Sequence, residues 1–184
     1  MLMPARAFAE WQLRPFLGAT FGGDTTFVDF EHAAGKPNVV FGLGGELLGD
    51  VIGVDVDVGF APGFFQAGSE RLVLRSSVTT LTGNLVVAMP RRLTQYTLRP
   101  YFVGGAGLMH VRIDHSLDVL QITSNLMAVD LGGGVTGFLT NRIGLNWDVR
   151  RFSSRSKKAS ATGFSFGPED LSFWRARMAL AIRL

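Results

Sequence analysis

Three stretches of this sequence carry residue types at spacings that chemistry uses. Gly132-Gly-Gly-Val-Thr-Gly137 satisfies G-x-G-x-x-G, the spacing at which a glycine-rich turn cradles a pyrophosphate at a helix start. Gly163-Phe-Ser-Phe-Gly167 satisfies G-x-S-x-G, which in a hydrolase lifts a serine nucleophile onto a sharp strand-to-helix turn. His110, Asp114, His115 and Asp118 are metal-ligand types close together in the chain. Each motif needs a context that the surrounding residues withhold. The first lies inside an alternating stretch that runs into the two-residue turn Thr140-Asn141. The second sits in a Ser-rich segment with Pro168 just beyond, and the His/Asp group straddles a strand end and a loop without the i, i+4 spacing of a helical site. No catalytic residue, cofactor or metal is therefore expected, and the absence of Cys removes thiol nucleophiles, zinc fingers and disulfide scaffolds.

A fourth group has a different character. Arg14, Glu46, Asp55, Asp57, Asp130, Asp148, Arg150, Arg175 and Arg177 all fall on the polar parity of alternating segments, with no Lys among them. Planar guanidiniums beside short carboxylates suit an enclosed ion-pair network, whereas a water-facing surface favours Lys and Glu. The expected chemistry is structural: four cations and five anions packed into one interior. Arg175 and Arg177 are expected to compensate Asp148, with Asp130 on the other flank.

The elements that must position these charges are strands. From Trp11 onward the dominant period is two, and eight segments are long enough to cross a bilayer as tilted strands of about 9 to 11 residues. They are placed at Trp11–Gly22, Val39–Leu48, Val51–Phe60, Ser77–Met89, Leu98–Arg112, Asn125–Leu139, Arg142–Phe152 and Ser172–Leu184. Links are short after the second strand (Gly49, Asp50) and the sixth (Thr140, Asn141), and of middle length at Pro90–Thr97. They are long at Gly22–Asn38, Ala61–Ser76, Ile113–Ser124 and Ser153–Leu171. This alternation of link lengths predicts an all-β, eight-stranded antiparallel up-and-down barrel with its long loops at one end.

The two faces separate cleanly. In the third strand Ile52, Val54, Val56, Val58 and Phe60 oppose Gly53, Asp55, Asp57 and Gly59. In the seventh, Ile143, Leu145, Trp147 and Val149 oppose Gly144, Asn146, Asp148 and Arg150. Period alone does not distinguish a soluble core from a lipid-facing belt. Glycines on the polar face (Gly42, Gly44, Gly105, Gly107, Gly132, Gly134), Arg-rich charges on that same face, and a charge-free apolar face between strand ends point to polar-inside, apolar-outside. Hydrophobic residues at 47% exclude a disordered chain. Fifteen of the eighteen basic residues are Arg, the net charge is only +3, and no basic stripe forms, so no nucleic-acid partner is expected.

Leu98-Arg-Pro-Tyr-Phe-Val-Gly-Gly-Ala-Gly-Leu, Leu131-Gly-Gly-Gly-Val, Ile143-Gly-Leu-Asn-Trp-Asp-Val-Arg-Arg-Phe and the closing strand Trp174–Leu184 resemble the bacterial outer-membrane β-barrel domain of the OmpA/OmpX and opacity-protein type. The resemblance covers Trp11–Leu184 and implies a transmembrane barrel in the bacterial outer membrane. It also implies outer-membrane lipids and lipopolysaccharide as surroundings and the barrel-assembly machinery as a partner during insertion. Barrels of this type usually close on an aromatic residue, where this sequence has Leu184.

Residues 1–9, with Ala7-Phe8-Ala9 before Glu10, read as a residual signal-peptide stub or a disordered tail, and 10–184 as a single barrel domain. The functional expectation is a non-enzymatic outer-membrane barrel with a side-chain-filled interior, structural or engaged in surface interaction through its long loops. The partner of those loops is unknown. Arg155, Lys157 and Lys158 in the basic stretch Ser153–Ser160 are candidate contacts for lipopolysaccharide phosphates. Two other readings remain at this point: a small conduit for apolar solutes across the outer membrane, and a soluble ligand-binding barrel.

Overall fold

Segments that alternate apolar and polar side chains must pair edge to edge, and when the last also pairs with the first no backbone donor or acceptor is left at an open edge. The computed structural model, which describes residues 9–25, 37–64, 73–94, 98–115, 121–155 and 170–184, has this closed form. Its eight strands are β1 (Glu10–Thr25), β2 (Asn38–Leu48), β3 (Ile52–Pro62), β4 (Val73–Ala88), β5 (Leu98–His115), β6 (Gln121–Phe138), β7 (Ile143–Arg155) and β8 (Asp170–Arg183). Every neighbour is antiparallel and sequential, and β1 closes the sheet against β8 through pairs such as Gly18↔Arg177 and Leu13↔Ile182. One end, called lower here, carries the short links; the upper end carries the long ones.

Several strands run further at their upper ends than the alternation suggests. β1 continues past Gly22 to Thr25, β4 begins at Val73 rather than Ser77, and β5 continues past Arg112 to His115. β6 begins at Gln121 rather than Asn125, β7 continues past Phe152 to Arg155, and β8 begins at Asp170 rather than Ser172. Along these extensions apolar and polar residue types no longer alternate in the sequence, so the period-two signal fades while backbone pairing, as in Asp114↔Gln121, continues. Of the stretch expected as a loop over Ile113–Ser124, residues 113–115 belong to β5 and 121–124 to β6. At the lower end the Pro90–Thr97 link contains a 3-10 turn, Arg91–Leu93. In β1 the register against β8 shifts between Phe21 and Asp24, where Gly22 takes φ +57°, a left-handed conformation that glycine adopts without strain.

The burial pattern is inside-out. β3 alternates exposed and buried from end to end, with Val54, Val56 and Val58 outward and Asp55 and Asp57 fully enclosed. The exterior is a continuous apolar wall: Ile52, Leu85, Phe102, Met127 and Leu131 are each more than 60% exposed. A water-facing surface of that composition would be an aggregation liability. The exterior therefore requires lipid, which removes the soluble-barrel reading.

Inside, the barrel is stratified. Its upper half holds an apolar layer of Phe16, Val40, Ala61, Phe64, Val78, Met109, Val111, Leu126, Ala128, Phe152, Leu171 and Phe173. A smaller apolar patch, Leu48, Val86, Ala88, Tyr101 and Val103, lies on β2, β4 and β5 in the lower half. Between them lies a charged belt.

Candidate functional site

The belt is built by parity. Arg14 on β1, Glu46 on β2, Asp55 and Asp57 on β3, Asp130 on β6, Asp148 and Arg150 on β7, and Arg175 and Arg177 on β8 all occupy inward positions and are at most 4% exposed. The structure brings all nine into one connected network. Arg14 Nη2 reaches Glu46 Oε2 at 2.5 Å and Asp55 Oδ1 at 3.2 Å. Arg150 Nη2 continues the chain to Asp55 Oδ2 at 2.9 Å and Asp148 Oδ2 at 3.0 Å, while its Nη1 lies 3.6 Å from Asp130 Oδ2. Arg177 donates from Nε to both Asp148 oxygens at 2.9 Å and pairs through Nη1 with Asp57.

Arg175 does not serve Asp148 in the way the sequence suggests. It reaches Asp57 on β3 instead, Nη2 to Oδ1 at 2.7 Å. The reason is height in the barrel: Arg175 lies opposite Arg150 in register and Arg177 opposite Asp148, so Arg177 takes the adjacent carboxylate and Arg175 points across the lumen.

Neutral side chains complete the belt. Tyr101 Oη donates to Asp148 Oδ2 at 2.9 Å, and Asn146 Nδ2 donates to Tyr101 Oη at 2.9 Å and Thr136 Oγ1 at 2.8 Å. Asn84, with its amide nitrogen turned to Asp130 Oδ1 at 2.8 Å, accepts from Arg150 Nη1 at 3.0 Å. Asp148 is thus the hub, shared by two guanidiniums and a phenol. Sequence reasoning puts Asn146 on the polar face of its strand without a role in the network, and Tyr101, Asn84 and Thr136 are not singled out, although each has the parity of the charged positions.

Inward glycines make room for these side chains. A Cβ on Gly134 would lie 2.5 Å from Asp148 Cβ and 2.8 Å from Tyr101 Oη, and one on Gly132 would lie 2.8 Å from Arg150 Cα. This is the role of the G-x-G-x-x-G match: it clears space beside the hub and runs through a strand with no helix after it.

The apolar layer sits directly on the belt. The Arg175 guanidinium carbon lies 5.1 Å from the Phe16 ring centroid and 4.5 Å from that of Phe152, and the Arg177 carbon lies 4.7 Å above Phe16. Guanidinium faces are weakly hydrated and stack on rings, so the two cations meet the apolar layer through their faces. Above it Phe152 stacks on Phe173 at 5.2 Å, and Phe64 meets Phe173 edge-on at 5.0 Å.

The other candidates lie apart from the belt. His110 points outward at the upper end of β5, where its Nδ1 hydrogen-bonds Asn125 Oδ1 at 2.7 Å. Among the described residues no group of three His, Asp or Glu is placed to hold a metal ion. Arg155 ends β7 opposite Asp170 in register. Lys157, Lys158, Asp118, the 163–167 motif and residues 1–8 lie outside the described residues.

No family model matches the chain, and no curated protein sequence matches it either. Solved structures do. Neisserial surface protein A (NspA) superposes with a TM-score of 0.67 over 95% of this chain and 97% of its own, at 10% identity. The outer membrane protein OprG from Pseudomonas aeruginosa gives 0.62 over 97% of both chains at 15% identity. The fold is that of the eight-stranded outer-membrane barrels. A third member of this fold, the N-terminal β-barrel domain of Pseudomonas aeruginosa OprF, gives 0.56 at 12% identity over 95% of this chain and 97% of that one. At such identities an outer-membrane barrel shares its strand path with this chain, so the belt has to be understood from its own side chains.

Proposed function

We propose that this chain is a non-enzymatic bacterial outer-membrane barrel whose interior is closed, and that it acts through the long connections at its upper end, as a structural or surface-interaction protein. The observation that carries this reading is the stacking of two packed layers, a nine-residue ion network and an aromatic plug, in a barrel of only eight strands. Side chains that neutralise one another across the lumen block a path rather than line one. The apolar exterior and the fold shared with OprG support the outer membrane as its location.

In this reading the short links and the lower mouth face the periplasm, and the upper connections face outward into lipopolysaccharide. Arg155, Lys157 and Lys158 then meet its phosphates, and the barrel-assembly machinery inserts the chain. Planar-bilayer recording of the detergent-folded monomer tests the reading: little or no steady conductance is expected. Large, uniform single-channel steps would overturn the closed interior and favour a solute conduit instead. For orientation, protease applied to intact cells is expected to cut within Ser153–Ser160 and spare Pro90–Thr97, and the reverse pattern would overturn it.

A further inference from the structure

The connection between β4 and β5 reaches further than its length requires. In the closed order of the barrel it lies opposite the β1–β8 seam, four strands away in either direction. Arg91 in this connection nevertheless meets Glu10 at the start of β1, Nη2 to Oε1 at 2.8 Å. The segment Pro90–Thr94 therefore leans across the lower mouth. Between it and the barrel wall lies a cavity of about 390 Å³, lined by Arg91 and Thr94 of the segment and by Leu48, Arg99, Thr136 and Phe138 of the wall. The next inward position above Leu48 is Glu46 of the belt, so the cavity is a blind cup.

The two sides of the segment are held by different means. At its root the buried Arg99 donates from Nε to Met89 O at 3.1 Å, and from Nη2 to the carbonyls of Gly49 and Asp50 at 2.9 and 2.7 Å. Met89 N–H adds a bond to Pro100 O at 2.9 Å. Salt screens such enclosed bonds little. The turn itself is stiffened by Leu93 N–H donating to Pro90 O and Thr94 Oγ1 donating to Arg91 O, both at 2.9 Å, so it moves as a unit.

The far side is held differently. Arg91–Leu93 bury no side chain, so apolar packing does not keep the turn down. Among the described residues, the Arg91–Glu10 pair is the contact that fixes it over the mouth. Its side chains are 44% and 19% exposed, within reach of water and salt, and pairs of this kind are weak. Glu10 also has a second cation, Arg183, whose Nε lies 3.3 Å from its Oε2. The carboxylate is thus not stranded when Arg91 leaves.

We infer that Pro90–Thr94 is a strap latched across the lower mouth by Arg91 and Glu10, and that release of this one ion pair opens the cup. Opening exposes the cup and no pore, because the belt above it stays in place. The strap is a separate device from the closed interior proposed above, and it works in either orientation of the barrel.

The chain has no cysteine, so a single introduced thiol reports on the cup alone. Leu48→Cys places that thiol on β2 and Thr136→Cys on β6, across the barrel, at positions that are both buried and line the cup. Either variant that folds, as judged by heat-modifiable gel migration, serves. The full-length chain in detergent is labelled with a neutral maleimide at about 0.01 M and about 1 M NaCl, where screening lengths are about 30 Å and about 3 Å. N-acetylcysteine corrects for the effect of salt on the reagent. Labelling is expected to rise about two- to fivefold with salt, the range that loss of an exposed ion pair supplies. Arg91→Gln and Glu10→Gln are each expected to give the faster rate already at low salt and to remove the salt dependence, whereas Arg92→Gln in the same turn keeps the original behaviour. A rate independent of salt, an unchanged low-salt rate in folded Arg91→Gln or Glu10→Gln, or an equal gain in Arg92→Gln would each overturn the inference.

Discussion

The two layers inside this barrel close the same lumen by opposite means. The belt does it with charges that each have a specific geometric partner; the plug does it with aromatic and aliphatic side chains that need only volume. A buried ion network is weak evidence of stability when set against a well-packed apolar core, but removing one member leaves the others charged and unpartnered. The belt therefore contributes definition more than stability. A one-residue slip of any strand would send its charges into lipid and its leucines inward, so the network selects the register in which every guanidinium meets a carboxylate. The plug has no such discrimination.

The comparison makes graded predictions. Asp148→Ala breaks the hub and leaves Arg150, Arg177 and Tyr101 without their common acceptor, so it is expected to cost about 3 to 5 kcal/mol in urea unfolding of the detergent-folded barrel. Phe173→Ala removes a ring packed against Phe152 and Phe64, at a cost of about 3 kcal/mol or somewhat more depending on how far the layer collapses. Its conductance is expected to stay low, because the belt beneath remains closed; an open channel in this variant would show that the plug alone seals the barrel.

Gly134→Ala is expected to cost about 1 to 3 kcal/mol, because the new Cβ would run into the Trp147 backbone carbonyl oxygen and press on Asp148 and Tyr101 as well. The outward Gly45→Ala, whose Cβ meets nothing within 4 Å, is expected to leave the urea midpoint nearly unchanged. A small effect is also expected at another outer-wall position: Arg151, whose guanidinium carbon lies 5.6 Å from the Trp174 ring, should lose less than about 1 kcal/mol on replacement by Ala.

Much of this was legible in the residues. Period two, read with the short links at Gly49-Asp50 and Thr140-Asn141, specifies eight antiparallel strands, and parity places Asp55, Asp57, Asp148 and Arg177 on one face. Parity does not give height. Arg175 and Arg177 share a face, yet only the position of each along the barrel decides that one meets Asp57 alone while the other joins Asp57 to Asp148. The plug was hidden for a related reason: Phe16, Phe152 and Phe173 sit on the face whose other members are charged, and alternation averages over a face without noticing that its upper end turns apolar. Their phase with Arg14, Arg150 and Arg175 was the available signal. The upper strand extensions were invisible because paired backbone above the lipid boundary leaves no hydrophobic pattern.

The central claim, that these charges are partners in an enclosed interior, is tested most directly by a double-mutant cycle on Arg177 and Asp148 in urea unfolding of the folded barrel. The account predicts that each Ala variant loses clearly more stability than Lys157→Ala or Lys158→Ala, and that the double variant loses less than the sum of the singles, because removing both members leaves no pair to be broken. Additive losses, or losses as small as those at the two lysines, would contradict it and place the charges in water.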